Sequence, residues 1–166
     1  MSSVKFTFDV KDLASRLERA GPKAIKDTLR SCGNLALRST HERFRQEIDP
    51  DGIPWKPHVL PSKSYRILWK EGDLFKSIVA TFSKTKVVIG TALVYAGVHQ
   101  RGAKLAVTPK QSVWMWANLF NKQGNPFRFK TIRIPKRTFL GFSEDDQKGF
   151  VVIANTVLKG ALDGRR

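Results

Sequence analysis

The side chains best suited to metal binding or nucleophilic catalysis are few in this sequence and lie far apart. The histidines are His41, His58 and His99, and Cys32 is the single cysteine. Zinc sites bring His and Cys ligands together at short, recognisable spacings, and a disulfide needs two cysteines. The sequence therefore predicts no zinc site and no internal disulfide.

Carboxylates are the next candidates, because paired Asp and Glu residues act as general acid and base or hold calcium. The sequence Asp-Pro-Asp-Gly at positions 49–52 resembles the start of a calcium loop, but Ile53 stands where the third ligand would be. Asp-Gly after a proline is typical of a tight turn, and we interpret it so. Paired-carboxylate catalysis would have to draw on Asp49, Asp51, Glu71 and Asp73. The first two are already explained by the turn, so we expect no catalytic pair.

The usual signatures of enzymes that bind nucleotides or transfer acyl groups do not occur in the sequence. It contains no GxxxxGK[ST] loop, no GxGxxG sequence after a strand and no GxSxG turn. His99 has no Ser, Cys or Asp neighbour that would complete a catalytic set, and we interpret it as a polar residue at the end of a strand. We therefore expect a protein that is not an enzyme and has no cofactor.

The charge of the chain is strongly basic and unevenly distributed. Thirty Lys and Arg against fourteen Asp and Glu give a net charge of +16. The segment 74–143 contains basic residues and no carboxylate. It forms either a solvated basic face or a site for a polyanion. The residues we assign to a possible DNA-facing surface are Lys122, Arg128, Lys130 and Arg133.

The order of predicted elements indicates an α+β fold. Apolar residues recur at helical spacing in three segments, 9–20, 22–47 and 144–162, with Gly33 as a point of close packing or a kink. Runs rich in β-forming residues predict strands at 78–82, 86–90, 93–98 and 127–134, the first two as a hairpin. We expect one domain over residues 1–166, with the N-terminal helices packed on an antiparallel sheet and a helix at the C-terminus.

The aromatic residues divide into two groups. We expect Trp55 and Trp69 to hold the long loop after the turn against the core. The segment 109–126 has too many large apolar residues for a small sheet to bury, and we interpret it as an inserted flap or short helix. We assign its Trp114, Trp116 and Phe120 to a partner interface.

Two compartments receive no support from the sequence. The N-terminus lacks the apolar run of a signal peptide, and no stretch approaches the about 18 apolar residues of a membrane span. With a single cysteine, we expect a protein of the reducing cytoplasm and no membrane contact beyond a peripheral one.

Four groups of residues, in order along the chain, carry a resemblance to a known family. The first is Phe44 with 49–52, Pro54 and Trp55, and the second is Ile67-Leu68 with Gly72, Leu74 and Ser77-Ile78. The third is 88–91 with Tyr95-Ala96, His99-Gln100 and Gly102, and the fourth is Ile134-Pro135, Arg137 and Phe139-Leu140-Gly141. From about residue 25 onwards the chain resembles the phage virion morphogenesis proteins, a family similar to the Mu G protein and to tail-completion proteins.

The resemblance implies a structural protein that completes the tail or its junction with the head and then belongs to the virion. It implies a ring, with six copies if the ring follows the tail symmetry. The implied partners are further copies of the chain, the tail tube or sheath, the head-tail connector and, without sequence preference, packaged DNA. We expect Arg137 to be structural or interfacial, paired with backbone carbonyls or with a carboxylate such as Asp49 or Asp51.

A rival interpretation from another class is a nucleic-acid-binding module. In it, aromatic residues such as Trp114, Trp116, Phe127 and Phe129 stack on bases among the surrounding Lys and Arg residues. No recognised DNA- or RNA-binding motif accompanies these residues, so we expect any nucleic-acid binding to be independent of sequence.

Overall fold

The structure is a computed structural model that describes residues 4–6, 11–58, 66–69, 71–118 and 130–163. Six helices and five short strands occur in these residues. The helices are α1 Lys11–Ala20, α2 Pro22–Gln46, α3 Asp73–Lys76, α4 Ala96–Arg101, α5 Pro109–Asn118 and α6 Glu144–Asp163. The strands are β1 Val4–Phe6, β2 Val79–Phe82, β3 Val87–Thr91, β4 Ala103–Ala106 and β5 Thr131–Ile134. The predicted α+β fold is confirmed.

The three predicted helices are confirmed, with α2 and α6 within one residue of their predicted bounds and α1 ending where predicted, while 9–10 lie outside the described residues. Gly21, at φ 99°, separates α1 from α2, and Pro22 occupies the first turn of α2. Glu47 then takes the left-handed conformation, at φ 58°, and ends that helix. At the start of α6, Ser143 and Asp146 exchange hydrogen bonds between side chain and backbone N–H, at 2.9 and 3.1 Å.

The first sheet has three antiparallel strands in the order β1-β3-β2 and packs under α2. The hairpin of β2 and β3 is the predicted one. Gly33 lies where α2 meets the hairpin, and a Cβ atom there would come within 2.6 Å of the Phe82 ring and 2.8 Å of Val87. The predicted close packing at Gly33 is confirmed, because a side chain there would require the Phe82 ring and the Val87 side chain to shift.

The second sheet is a two-stranded ribbon of β4 and β5, with Ala103 paired to Ile134. Between these strands the chain makes an excursion that includes α5. A Cβ atom on Gly102, which has φ 75°, would lie 2.9 Å from the Lys136 backbone nitrogen, so the excursion begins and ends at one point. We call its described part, residues 103–118 and 130–134, the arm.

The core is built around Phe44, which is fully buried. The rings of Trp55, Phe75 and Phe139 surround it edge-on at centroid distances of 5.2, 5.9 and 5.4 Å. Trp55 and Trp69 both pack on this cluster, as predicted. A smaller cluster joins α2 to α6 through Ala24, Ala154 and Leu158.

The prediction of a strand at 93–98 is wrong. The Thr91 hydroxyl accepts the Leu93 N–H at 3.1 Å, and the Ala96 N–H then bonds to the Leu93 carbonyl, which turns the chain into α4. Val94 is 74% exposed and thus has no place in a buried strand. A run of β-forming residues is a weak signal where local hydrogen bonds favour a turn.

Three other differences concern the sheets and the aromatic segment. The expected single sheet is two sheets, since β1 and β4 were not predicted and β4 pairs with β5 away from the hairpin. In the predicted strand 127–134, residues 131–134 form β5 with regular pairing, while 127–129 lie outside the described residues. The helical alternative for 109–126 is confirmed over α5, and 119–126 lie outside the described residues.

Candidate assembly surface

The arm is connected to α6 by an extended segment, residues 135–143, which we call the strap. The strap forms no regular sheet, so side chains must satisfy its buried backbone groups. Gln100 of α4, itself buried, does this at its centre. Its Oε1 accepts the N–H groups of Phe139 and Leu140 at 3.0 and 3.1 Å, and its Nε2 donates to the Leu140 carbonyl at 2.7 Å.

The end of the strap is fixed by a buried ion pair. Arg43 of α2 donates to the Asp146 carboxylate at 3.0 Å and to the Gly141 carbonyl at 2.8 Å. The two charged side chains are only 6% and 4% exposed. A buried pair of this kind is tolerated because further hydrogen bonds compensate for the lost hydration. Asp146 accepts the Ser143 N–H as well, which joins the pair to the start of α6.

Arg137 fixes the beginning of the strap from inside the molecule. It is 4% exposed, and it donates to the carbonyls of Lys56 and Pro57 at 2.7 and 2.5 Å. Burial lowers the pKa of its guanidinium. The sequence leaves backbone carbonyls or a carboxylate as the partners of Arg137, and the structure shows the carbonyls. Trp55 adds a third bond across this contact, from its Nε1 to the Thr138 carbonyl at 2.9 Å.

The turn at 49–52 packs against the same strap. One Asp49 carboxylate oxygen accepts the N–H groups of Asp51 and Ile53 at 3.0 and 2.8 Å, as in a side-chain-stabilised turn. Pro50 lies so close to Gly141 that a Cβ there would be 2.7 Å from the proline ring. This carboxylate is therefore engaged in folding, as the sequence predicts.

Further motif residues also contribute to the interior. Leu74 and Ile78 are buried in the core, and the hydroxyls of Ser77 and Thr91 lie 2.7 Å apart, which links the second motif to the third. Each of the four groups that carry the family resemblance thus has buried members, although Asp51 and Tyr95 are exposed. The buried members specify the fold.

A cavity of about 410 Å³ lies beside the strap. Its lining brings titratable side chains, among them Glu71 and Asp73, together with His99. Among the described residues, His99 Nδ1 is buried without a hydrogen-bond partner, and burial followed by nearby Arg137 lowers the pKa of its imidazole. His99 lies in α4 and not at a strand end, so that interpretation is wrong in its location. The described residues that line the cavity include no Ser, Thr or Cys nucleophile.

The arm presents both apolar and cationic side chains at its surface. The remaining described residues, which we call the body, also include exposed apolar side chains such as Val94 and Val152. Leu105 is 43% exposed, Val113 37% and Trp114 58%. The exposed cations of the arm are Lys104, Lys110, Lys130 and Arg133. Large apolar side chains grouped with cations in this way are typical of a surface that meets another macromolecule.

Two of these cations face each other within the ribbon. In the register of β4 and β5, Lys104 stands directly opposite Arg133. Like charges at directly opposed positions destabilise an antiparallel pair, and both residues are exposed. The ribbon thus displays a concentrated positive charge whose compensation must come from outside it.

The residues that the sequence assigned to interface and DNA contact are divided by the structure. Trp114, Lys130 and Arg133 belong to the arm and are exposed, whereas Arg137 is internal. Trp116 belongs to α5. Phe120, Lys122 and Arg128 lie outside the described residues.

Sequence reasoning missed Gln100, Arg43 and Asp146, which hold the strap. Gln100 was visible as part of the third motif, and Asp146 as one of three acids at the start of a helix. No local pattern pairs Asp146 with Arg43, which lies 103 residues earlier. That these three buried side chains form hydrogen bonds with the strap becomes evident only when the fold brings the elements together.

Among the described residues no group of three or more His, Cys, Asp or Glu side chains is arranged to hold a metal ion. Within the same ranges no helix combines the length and apolar character needed to cross a membrane.

The described residues define an α+β protein with many motif residues in its interior and with an arm that carries exposed apolar and cationic side chains. The sequence model of the phage virion morphogenesis family matches residues 7–159. The chain belongs to this family, and the resemblance seen in the sequence is confirmed. No curated protein and no solved structure gives a significant match. Family membership supports a structural role in the phage particle.

Proposed function

We propose that this protein completes the tail, or the junction of tail and head, during virion assembly, and that it does so as a ring. It would act without catalysis and remain in the tail or neck of the finished particle. The observation that supports this role is the arm, an exposed apolar and cationic surface joined to the body by the strap in a member of a virion morphogenesis family.

The mounting of the arm suits it for assembly. The strap that follows β5 is held by Gln100, Arg137 and the Arg43–Asp146 pair, all of them buried. Ordering a flexible segment on binding costs free energy, so a strap that is already held reduces that cost at the base of the arm. The two ends of the arm meet at Gly102 and Lys136, which gives it a single base on the body.

A single arm suits a ring. If the arm meets a different surface of the neighbouring copy, the contact is heterologous, and such contacts form a ring when the rotation between copies closes. Six copies would match a six-fold tail. One rim would meet the tail tube or sheath and the other the connector, around the DNA that passes through.

The test is tail completion in extracts of infected cells that lack this protein. Adding purified protein should produce full-length particles, counted by electron microscopy and by infectivity. The variant with Trp114→Ser and Trp116→Ser should fail to do so while keeping wild-type circular dichroism. A matched control replaces Val151 and Val152 of α6, both exposed, by Ser and should complete tails normally.

Two outcomes of this assay would contradict the proposal. If particles form normally in extracts without the protein, it has no role in completing them. If the tryptophan variant completes tails as well as the α6 control, the arm is not the surface used.

A further inference from the structure

A groove of about 1110 Å³ lies on the body, between the second half of α2, the turn at 49–52 and the start of α6. It exceeds the about 300–1000 Å³ of small-molecule sites and is large enough for several side chains of another chain. Six of the fourteen carboxylates in the sequence line it, against three arginines. We call it the acidic groove; its carboxylates are Glu42, Asp49, Asp51, Glu144, Asp145 and Asp146.

Several of these carboxylates remain available to a partner. The Asp146 carboxylate is paired with Arg43, and that of Asp49 accepts hydrogen bonds within the turn. Glu42 contacts Arg45 at 3.0 Å. Asp51 is exposed, and the side chains of Glu144 and Asp145 are 88% and 95% exposed. Lys148 approaches the last two at 3.6 and 3.7 Å, but such exposed pairs hold charge only weakly. The groove is a negative region on a chain whose net charge is +16.

The arm has the complementary chemistry. Its Lys104 and Arg133 stand opposite each other, and the sequence supplies no carboxylate between Asp73 and Glu144 to compensate them. A two-stranded ribbon is only marginally stable by itself and gains from packing against another surface. The described residues that line the groove come from α2, from the turn and from α6, so within one copy the arm does not fill it.

We infer that the arm of one copy docks in the acidic groove of the next copy, an inference that rests on the proposed ring. The carboxylates of Asp51, Glu144 and Asp145 receive Lys104 and Arg133. Ile53, which follows the groove residue Gly52 and is 59% exposed, provides an apolar contact for the arm. Arm and groove are different surfaces, so the contact is head-to-tail and repeats around a closed ring.

The experiment uses the full chain and two charge-reversed variants. The groove variant carries Asp51→Lys and Asp145→Lys, and the arm variant carries Lys104→Glu and Arg133→Glu. A matched control reverses two exposed carboxylates outside the groove, with Glu18→Lys and Asp27→Lys. Sedimentation velocity at low salt gives the assembly state across a concentration series, and circular dichroism checks that each variant is folded.

The head-to-tail contact predicts how the two variants assemble alone and when mixed. In each variant alone, the arm and the groove carry charges of the same sign. The protein concentration at which half of the copies are assembled should therefore be at least about tenfold higher than for the wild type. In a one-to-one mixture each arm finds a groove of opposite charge in the other variant, and assembly should return. The control should assemble as the wild type does.

Several results would overturn the inference. They are a wild type that stays monomeric up to its solubility limit, a groove variant that assembles normally, or a mixture that stays as dissociated as its components although both are folded. If only the arm variant is affected, and it also loses binding to a DNA duplex, the arm faces DNA instead. The proposed function fails separately, through the extract assay, so the two failures are distinguishable.

Discussion

Gln100 provides the sharpest test of how the arm is mounted, because one buried side chain satisfies three backbone groups of the strap. Replacing it by Met keeps its size and removes all three hydrogen bonds, which measure 2.7, 3.0 and 3.1 Å. The N–H groups of Phe139 and Leu140 and the Leu140 carbonyl are then left buried without partners. Each such group costs about 1–3 kcal/mol.

The expected loss in the free energy of unfolding for Gln100→Met is about 3–5 kcal/mol, because losses at neighbouring groups do not add in full. This is a large part of the about 5–15 kcal/mol that stabilises an ordinary domain. Urea titration followed by tryptophan fluorescence measures it, since Trp55 is buried beside the strap.

The control for this measurement is Gln147→Met, the same change at an exposed position of α6, which should shift stability by less than about 0.5 kcal/mol. If the two variants unfold at similar urea concentrations with similar slopes, the strap does not depend on Gln100. The account of a rigidly mounted arm would then be refuted.

Four further predictions concern buried titratable groups and charge. Arg137→Lys should destabilise the fold by about 1.5–3 kcal/mol in a urea titration, because Lys cannot donate to both carbonyls, whereas Arg30→Lys at an exposed position should be neutral. Burial raises the pKa of the Cys32 thiol to about 11, so a thiol reagent at pH 8 should label it only on unfolding, and rapid native labelling would contradict its burial. The pKa of His99 is lowered in the folded state, so the unfolded chain binds more protons and the free energy of unfolding should fall as pH drops below about 6.5. His99→Gln should reduce the slope of the free energy of unfolding against pH, and an unchanged slope would exclude His99 as its source. DNA binding should be equal for unrelated duplexes and weaken about a thousandfold between 50 and 200 mM salt for about six phosphate contacts, and retained sequence preference at the higher salt would favour the nucleic-acid module.

The helices and the central hairpin were predictable because their signals are local. In α2 the apolar residues recur at helical spacing from Pro22 to Phe44, and Gly33 marks the close approach of the hairpin. The turn at 49–52 likewise follows from the chemistry of Asp and Gly.

The errors arose where particular hydrogen bonds and strand pairing, rather than composition, decide the structure. The strand β1 has three residues, and its assignment depends on pairing between Val4 and Thr91. Residues 93–98 have β-forming composition, yet the Thr91 hydroxyl and the burial of Gln100 favour a turn and a helix. Short segments carry too little intrinsic preference to overcome such contacts.

The candidate surface was predictable in its composition and less so in its geometry. The aromatic segment and the run without carboxylates identified the arm region, and Trp114 and Arg133 are exposed there. The opposition of Lys104 and Arg133 depends on strand register, which composition does not reveal. The acidic groove joins residues about a hundred positions apart, such as Glu42 and Glu144, so it required the fold.

Electron cryo-microscopy of particles assembled with this protein tests the central proposal most directly. The account predicts a closed ring of copies at the end of the tail or in the neck, with the arm of each copy, including Trp114, against its neighbour. Particles that contain no copy of the protein, or single copies whose arms touch no other protein, would contradict it.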